Sequence, residues 1–243
     1  MIMIMTEQKP THYNFIIPYR DRPICLRTII KQLPKYLAKQ PYIKSFRIVV
    51  VEQEPGKLFN LAKIINVGFT IVKTYFPYDM EDCFIFHPVD AIPIEGSYFV
   101  PEESFVTFCS DHEDITTIEK PYGKAHGFRN NVFETINGYS NEYWGWGQED
   151  DDMFIRLEAT KAKTFGTFIK FDFLMNSIGE NHRIDCDPQN ANTLNWKQNS
   201  RLLMEMKQHK NYMLSGLNTL DYTILEHFQH KNEPDIYHFK VSI

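Results

Sequence analysis

The chain has 243 residues, of which 43% are hydrophobic and 23% charged, so it can fold around a sizeable core. Lysine and arginine total 26 against 31 aspartate and glutamate residues, and the formal net charge is −5. Because no run of basic residues occurs, the sequence predicts no nucleic-acid partner.

The four cysteines are widely spaced and form no CxxC pair, which argues against a zinc site built on thiolates. The first ten residues, MIMIMTEQKP, contain an apolar run of only five residues and no basic segment. They are typical of neither a signal peptide nor a membrane span. These features predict no membrane span in this chain and favour a reducing, cytoplasmic setting.

In the first half of the chain, short apolar runs alternate with amphipathic segments. Residues 14–19 (NFIIPY), 46–53 (FRIVVVEQ) and 83–87 (CFIFH) are predicted strands, and residues 22–33 and 57–73 are predicted helices. This order predicts an α/β fold with a parallel sheet and right-handed crossovers.

The predicted strands of this half end in polar segments, PYRDR, VEQ and HPVD. Parallel strands bring their carboxyl ends to one edge of the sheet, where ligands bind in such folds. The sequence therefore predicts a ligand site at this edge.

The second half of the chain is less regular. The predicted strands here cover residues 104–109 and 164–173, and the predicted helices cover 131–136, 151–162 and 195–208. No repeat or Gly/Ser linker divides the chain, which indicates a single domain.

The segment YWGWGQEDDDM (143–153) places two of the three tryptophans next to four consecutive acids, Glu149 to Asp152. One interpretation is a buried aromatic turn followed by a solvated helix start. The other is a surface on which a ligand stacks, with a carboxylate positioned beside it.

Four segments carry a resemblance to a known family: IIPYRDRP, FNLAKIINVGF, CFIFHPVDAIP and INGYSNEYWGWGQEDDDMFIRL. In order and spacing they resemble the β-1,4-galactosyltransferase family. The resemblance implies one Rossmann-like domain of the glycosyltransferase A type, with a mostly parallel central sheet and an irregular acceptor-side half. It implies a short tail (1–12) and one catalytic domain (13–243), in which 13–110 bind the nucleotide sugar and 111–243 the acceptor.

The same resemblance implies a reaction. It is the inverting transfer of a hexose, galactose or N-acetylgalactosamine, from a UDP-sugar donor to a hydroxyl of a carbohydrate acceptor, with Mn²⁺ or another divalent cation on the diphosphate. A cation offsets the charge of the departing diphosphate, and a base on the opposite face takes the acceptor proton.

Site residues follow from the matched positions. Asp90 is implied as a metal ligand, Phe59 as the ring that stacks on uracil, and Trp146 as the indole that lines acceptor and diphosphate. Asp150 is implied as the catalytic base and Asp151 as an acceptor-binding acid. The implied donor-binding residues are Pro18, Tyr19, Arg20, Arg22, Phe59, Asp90 and Trp146, and the implied acceptor-binding residues are Trp146, Gly147, Asp150 and Asp151.

The remaining metal ligands are predicted in GENHRID (179–185), where His182 and Glu180 would complete a site with Asp90. The alternative for Glu180 is a solvated loop acid. His87 is either a further ligand or a hydrogen-bonded histidine at a strand end.

Three residues depart from the family pattern. Pro88 replaces the first acid of the metal motif, Leu61 replaces an arginine after the stacking ring, and Gln148 replaces a glycine before the acids. Pro88 and Leu61 motivate an alternative function, a carbohydrate- or nucleotide-sugar-binding homologue without catalysis. A glycoside hydrolase is a third hypothesis, because acids flank the stacking surface.

The resemblance also bears on location. Eukaryotic members are usually anchored in the Golgi by a transmembrane stem, whereas this chain is nearly all catalytic domain. We therefore expect a cytoplasmic protein of bacterial or viral origin. The alternative is a Golgi enzyme from which the targeting segment has been removed.

Overall fold

A computed structural model describes residues 11–109, 125–174 and 193–243 of the protein. The helices in these ranges are α1 (Pro23–Leu37), α2 (Leu61–Tyr75), α3 (Asn130–Thr135), α4 (Glu149–Thr160) and α5 (Thr193–His209), with a 3₁₀ turn at Leu217–Thr219. The strands are β1 (Thr11–Tyr19), β2 (Ile43–Gln53), β3 (Cys83–Phe86), β4 (Ala91–Gly96), β5 (Ser104–Cys109), β6 (His126–Arg129), β7 (Lys163–Phe173), β8 (Thr223–Gln229) and β9 (Ile236–Ser242).

These strands form one mixed sheet in the order β4-β7-β5-β6-β3-β1-β2-β9-β8. β3, β1, β2 and β9 run parallel, as do β5 and β7. The pairs β3–β6, β5–β6, β4–β7 and β8–β9 are antiparallel. The predicted α/β class is confirmed, and the parallel sheet predicted from the first half of the chain forms the centre of a larger mixed sheet.

The two central strands are buried because each sheet face is covered. Phe15 of β1 and Val50 of β2 pack in a core that includes the buried face of α1. Ile16 of β1 and Val49 of β2 face the opposite core with α2. This burial on both faces explains the continuous β-branched run of β2.

The helix boundaries follow local signals. Pro23 is the first residue of α1, a position where its missing N–H has no partner to lose. The helix continues past Pro34 to Leu37 because Leu33 and Leu37 are both buried in the core. α2 begins at Leu61 rather than Lys57, since the Asn60 side chain caps it by accepting a hydrogen bond from the Lys63 amide at 2.8 Å.

β1 begins at Thr11, so Thr11 and His12 belong to the sheet and pair with β2. Their side chains are only half-buried and give no apolar signal in the sequence. At the other end, β1 closes at Tyr19, β2 at Gln53 and β3 at Phe86. Because these strands are parallel, the three predicted polar segments lie at one edge of the sheet.

Among the residues described, no helix is both long and apolar enough to cross a membrane.

Candidate active site

The segment after β1 carries the predicted donor-binding residues. Pro18 and Tyr19 are buried as the last residues of the strand, whereas Arg20 and Arg22 are half-buried. Asp21 between them has a φ of 51°, a left-handed conformation that turns the chain into α1. The two arginines are thereby placed at the carboxyl edge of the sheet.

Asp90 lies in the turn after β3 and faces this segment. Its Oδ2 accepts a hydrogen bond from Arg22 Nη1 at 3.3 Å, and the two side chains form an ion pair. The Asp90 side chain is 16% exposed, so it still meets solvent. The structure therefore brings together two residues that the sequence places 68 positions apart.

Phe59 lies on the loop that leads into α2, beside Arg20. The Arg20 guanidinium is 5.1 Å from the centroid of the Phe59 ring, a cation–π contact, and its Nη1 donates to the Lys57 carbonyl at 2.8 Å. Gln53 fixes this loop, because it donates to the Leu58 carbonyl and accepts from the Asn60 amide, both at 2.8 Å. Phe59 is therefore held rigidly next to the arginines.

The four acids form the first turn of α4, where free backbone N–H groups favour negative charge. Asp152 is fully buried and its Oδ2 accepts from Arg156 Nε at 3.0 Å. Arg156 also donates to the carbonyls of Ile136, Gly138 and Ser215. This buried pair joins α4 to two loops and has a structural role.

Burial raises the pKa of the Asp152 carboxyl to about 6, against the opposing effect of Arg156. Burial also raises the pKa of Glu149. Asp150 and Asp151 lie between these two and, like Glu149, are half-buried. Solvent and a ligand can therefore reach both aspartates.

The two tryptophans of the motif occupy different environments. Trp144 packs partly buried against the core, and Lys57 Nζ lies 5.6 Å from the centroid of its ring. Trp146 is 60% exposed. Trp146 is therefore the indole that a ligand can contact.

The donor-side and acceptor-side segments are joined directly. The Gly145 amide, between the two tryptophans, donates to the Phe59 carbonyl at 2.9 Å. Phe59, the predicted stacking ring, also contacts Arg20. The ring, the arginines and the motif therefore lie next to one another at the carboxyl edge of the sheet.

Three buried asparagines support this junction and were not predicted as functional. Asn66 donates to the Tyr139 carbonyl at 2.7 Å and to Asn141 Oδ1 at 2.9 Å. Asn60 donates to the Asn141 carbonyl at 2.8 Å. These bonds fix the segment NGYSNEY to α2. A polar side chain on the buried face of an otherwise apolar helix is the sequence signal for them.

His87 is a structural histidine. Its Nδ1 donates to the Pro88 carbonyl at 2.8 Å, so its Nε2 accepts from the Tyr98 hydroxyl at 2.6 Å. Burial lowers the pKa of His87 to about 4. Of the two interpretations, the structure supports the hydrogen-bonded strand-end histidine.

Of the three predicted metal ligands, Asp90 lies within the described residues, while His182 and Glu180 lie outside them. Within the ranges that the structure covers, no three His, Cys, Asp or Glu side chains are grouped to hold a metal ion.

Comparison with known proteins gives matches over both halves of the chain. Residues 7–99 match the family described as the N-terminal region of glycosyl transferase group 7, and residues 115–173 match the one described as the N-terminal domain of galactosyltransferase. The chain is 32% identical over 160 residues to human β-1,4-galactosyltransferase 4, covering 61% of this chain and 43% of the relative. It is 31% identical over 217 residues to β-1,4-galactosyltransferase 2 of Cricetulus griseus, covering 87% and 54%.

Among solved structures, Drosophila β-1,4-galactosyltransferase 7 in complex with manganese, UDP-Gal and xylobiose superimposes with a TM-score of 0.72. The match has 21% identity and covers 96% of this chain and 94% of that chain. The fold is thus the glycosyltransferase A-type fold of nucleotide-sugar enzymes, as predicted.

The protein belongs to the β-1,4-galactosyltransferase family. The chain spans about half the length of the curated relatives it matches.

Proposed function

We propose that the protein transfers a hexose, galactose or N-acetylgalactosamine, from a UDP-sugar to a hydroxyl of a carbohydrate acceptor with inversion. The names of the relatives support galactosyl transfer, and the complex of the Drosophila enzyme with UDP-Gal supports the donor class. The observation that carries the proposal is the hydrogen bond from Gly145 to Phe59, because it sets the acidic motif directly beside the predicted donor segment.

On the donor side, Phe59 provides the ring on which uracil stacks. Arg20 lies 5.1 Å from that ring and Arg22 pairs with Asp90, so both cations are in reach of a diphosphate bound at the strand ends. Pro18 and Tyr19 shape the backbone from which the arginines project. Their burial fixes the position of this backbone.

Asp90 is also the proposed first ligand of Mn²⁺ or another divalent cation, with His182 and Glu180 as proposed partners. A carboxylate that is 16% exposed at the end of a strand suits a hard, oxygen-liganded cation. When bound, such a cation stabilises the negative charge of the departing diphosphate. The loss of an acid at Pro88 leaves Asp90 as the carboxylate of the predicted motif.

On the acceptor side, Trp146 presents an exposed indole to the C–H face of a sugar. Asp150, in the first turn of α4, is the proposed base that removes the proton of the acceptor hydroxyl. Asp151 is the proposed partner of a second hydroxyl, and the backbone of Gly147 is proposed to contact the sugar. The N-terminus of α4 stabilises the charged form of both acids.

The second candidate function is a binding homologue without catalysis, favoured by Pro88 and by Leu61, which packs partly buried against the core at the start of α2. Such a protein would bind UDP-sugar but release no UDP. A hydrolase is less consistent with the family.

The test is UDP release with Mn²⁺, a panel of UDP-sugars and a panel of carbohydrates. We expect release with a UDP-hexose, and we expect Asp150→Asn to lower kcat by at least about 100-fold because the acceptor loses its base. Glu158→Gln removes an exposed carboxylate from the same helix and serves as the matched control. Equal rates of UDP release by the two variants would contradict the role of Asp150. Binding of a UDP-sugar without release of UDP would favour the second candidate.

The cellular location stays a prediction. The relatives named above come from animals, and the comparisons give no support to the predicted cytoplasmic location. We propose the alternative location, the Golgi.

A further inference from the structure

We propose that Asn199 is a positioning residue that holds the loop Trp144–Gly147, here called the tryptophan loop, in the conformation required for acceptor binding. The proposal rests on the function proposed above and adds a residue on α5 to the acceptor site. Nothing in the motif itself identifies this residue, since it lies 52 positions beyond Gly147.

The evidence is a convergence of carbonyl groups on one side-chain amide. Asn199 Nδ2 donates to the carbonyl oxygens of Gly147 at 2.9 Å, Trp144 at 3.2 Å and Trp146 at 3.3 Å. Asn199 is only 5% exposed. The two N–H groups of this amide thus serve three carbonyls, and at least one N–H is shared between two of them.

The curl of the tryptophan loop makes this convergence possible. Gly145 has a φ of 76° and Gly147 a φ of 96°, both in the left-handed region that favours glycine. The tryptophan loop also packs closely against the start of α5. A Cβ atom on Gly145 would lie 2.9 Å from Asn195 Nδ2, and one on Gly147 would lie 2.9 Å from Trp196 Cδ1.

The carbonyls of Trp146 and Gly147 belong to the peptide groups on either side of Gly147. Fixing both of them fixes the direction of the Trp146 indole and the entry of the chain into α4. Asp150 lies in the first turn of that helix. Asn199 therefore sets the distance between the exposed indole and the proposed base without contacting a ligand itself.

The most direct test replaces the amide by an isosteric carboxylate. Asn199→Asp removes both donors and places negative oxygens against three carbonyls. Gln198→Glu makes the same chemical change at the exposed neighbouring position of α5 and is the matched control. Asn199→Ser retains one O–H donor and provides an intermediate variant if Asn199→Asp folds poorly.

We expect Asn199→Asp to lower kcat/KM for the acceptor by about 10- to 100-fold, as a displaced acceptor-binding group does. The affinity for UDP with Mn²⁺, measured by calorimetry, should fall by a smaller factor than the acceptor kcat/KM, because the tryptophan loop touches the donor side only through Trp146 and the bond from Gly145 to Phe59. Hydrogen exchange of the amides in residues 144–151 should accelerate. Asn199→Ser should fall between wild type and Asn199→Asp.

Equal kcat/KM for the acceptor and equal hydrogen exchange in Asn199→Asp and Gln198→Glu would overturn the proposal. A parallel loss of UDP affinity would also overturn it, since it would indicate a general loss of structure. If wild type transfers no sugar from any donor, the proposed function fails. The exchange rates of residues 144–151 then still decide whether Asn199 holds the loop.

Discussion

Individual residues of the motif at 143–153 divide between structure and the proposed chemistry. Trp144 packs against the core, while Trp146 is exposed. Asp152 is buried with Arg156, while Asp150 and Asp151 are half-buried at the surface. The packed side chains of Trp144 and Asp152 thus hold the neighbouring, more accessible side chains in place. This division explains why so many acids are tolerated together.

Gln148 is the residue of the motif under backbone strain. Its φ of 79° is left-handed, and its side chain makes no cap hydrogen bond to α4. For a residue with a Cβ this conformation costs about 1 kcal/mol or more. The glycine that Gln148 replaces in the family pattern would carry no such strain.

We therefore expect Gln148→Gly to be more stable than Gln148→Ala by about 1 kcal/mol, because alanine retains the Cβ and glycine does not. The measurement is the free energy of unfolding from urea titrations of the two variants. Comparing them with each other removes the contribution of the glutamine side chain. If the glycine variant is no more stable than the alanine variant, the strain at this position is absent.

At the scale of elements, α2 connects the sheet to the acceptor-side segment. Its cap residue Asn60 accepts from the Lys63 amide and donates to the Asn141 carbonyl. Asn66, six residues later, donates to Tyr139 and Asn141. One helix therefore orders both the stacking ring at Phe59 and the segment that precedes the tryptophan loop.

Asn60→Ala should lower the free energy of unfolding by about 2 kcal/mol, since it removes the cap and leaves the Asn141 carbonyl without its donor. Asn131→Ala, at an exposed position of α3, is the control and should change the stability little. Urea unfolding monitored by circular dichroism measures both. A loss below about 0.5 kcal/mol for Asn60→Ala would contradict the role assigned to this side chain.

At the scale of the whole molecule, the sequence identifies the parallel centre of the sheet and its ligand-binding edge, because buried central strands appear as continuous apolar runs. It does not identify β4, β6, β8 or β9. β8 is mostly exposed, β6 has four residues, and β9 interleaves polar residues such as His238 and Lys240 with apolar ones. Their position depends on partners far away in the chain rather than on local pattern.

The residues of the candidate site also fall into a group that the sequence identifies and a group that it does not. The predicted donor and acceptor residues lie within local motifs, and the structure places those that it describes at one edge. The residues that hold them, Asn66, Asn141, Arg156 and Asn199, act through contacts between distant segments. A single sequence shows such residues only as polar side chains in apolar surroundings.

The stereochemistry of the product tests the central claim, that this edge of the sheet performs inverting transfer from a UDP-sugar, most directly. With Mn²⁺, α-linked UDP-galactose or UDP-N-acetylgalactosamine and a panel of carbohydrate acceptors, we predict a product whose new linkage is β, as read from the NMR signal of its anomeric proton. An α-linked product, or no transfer from any UDP-sugar, would contradict the account.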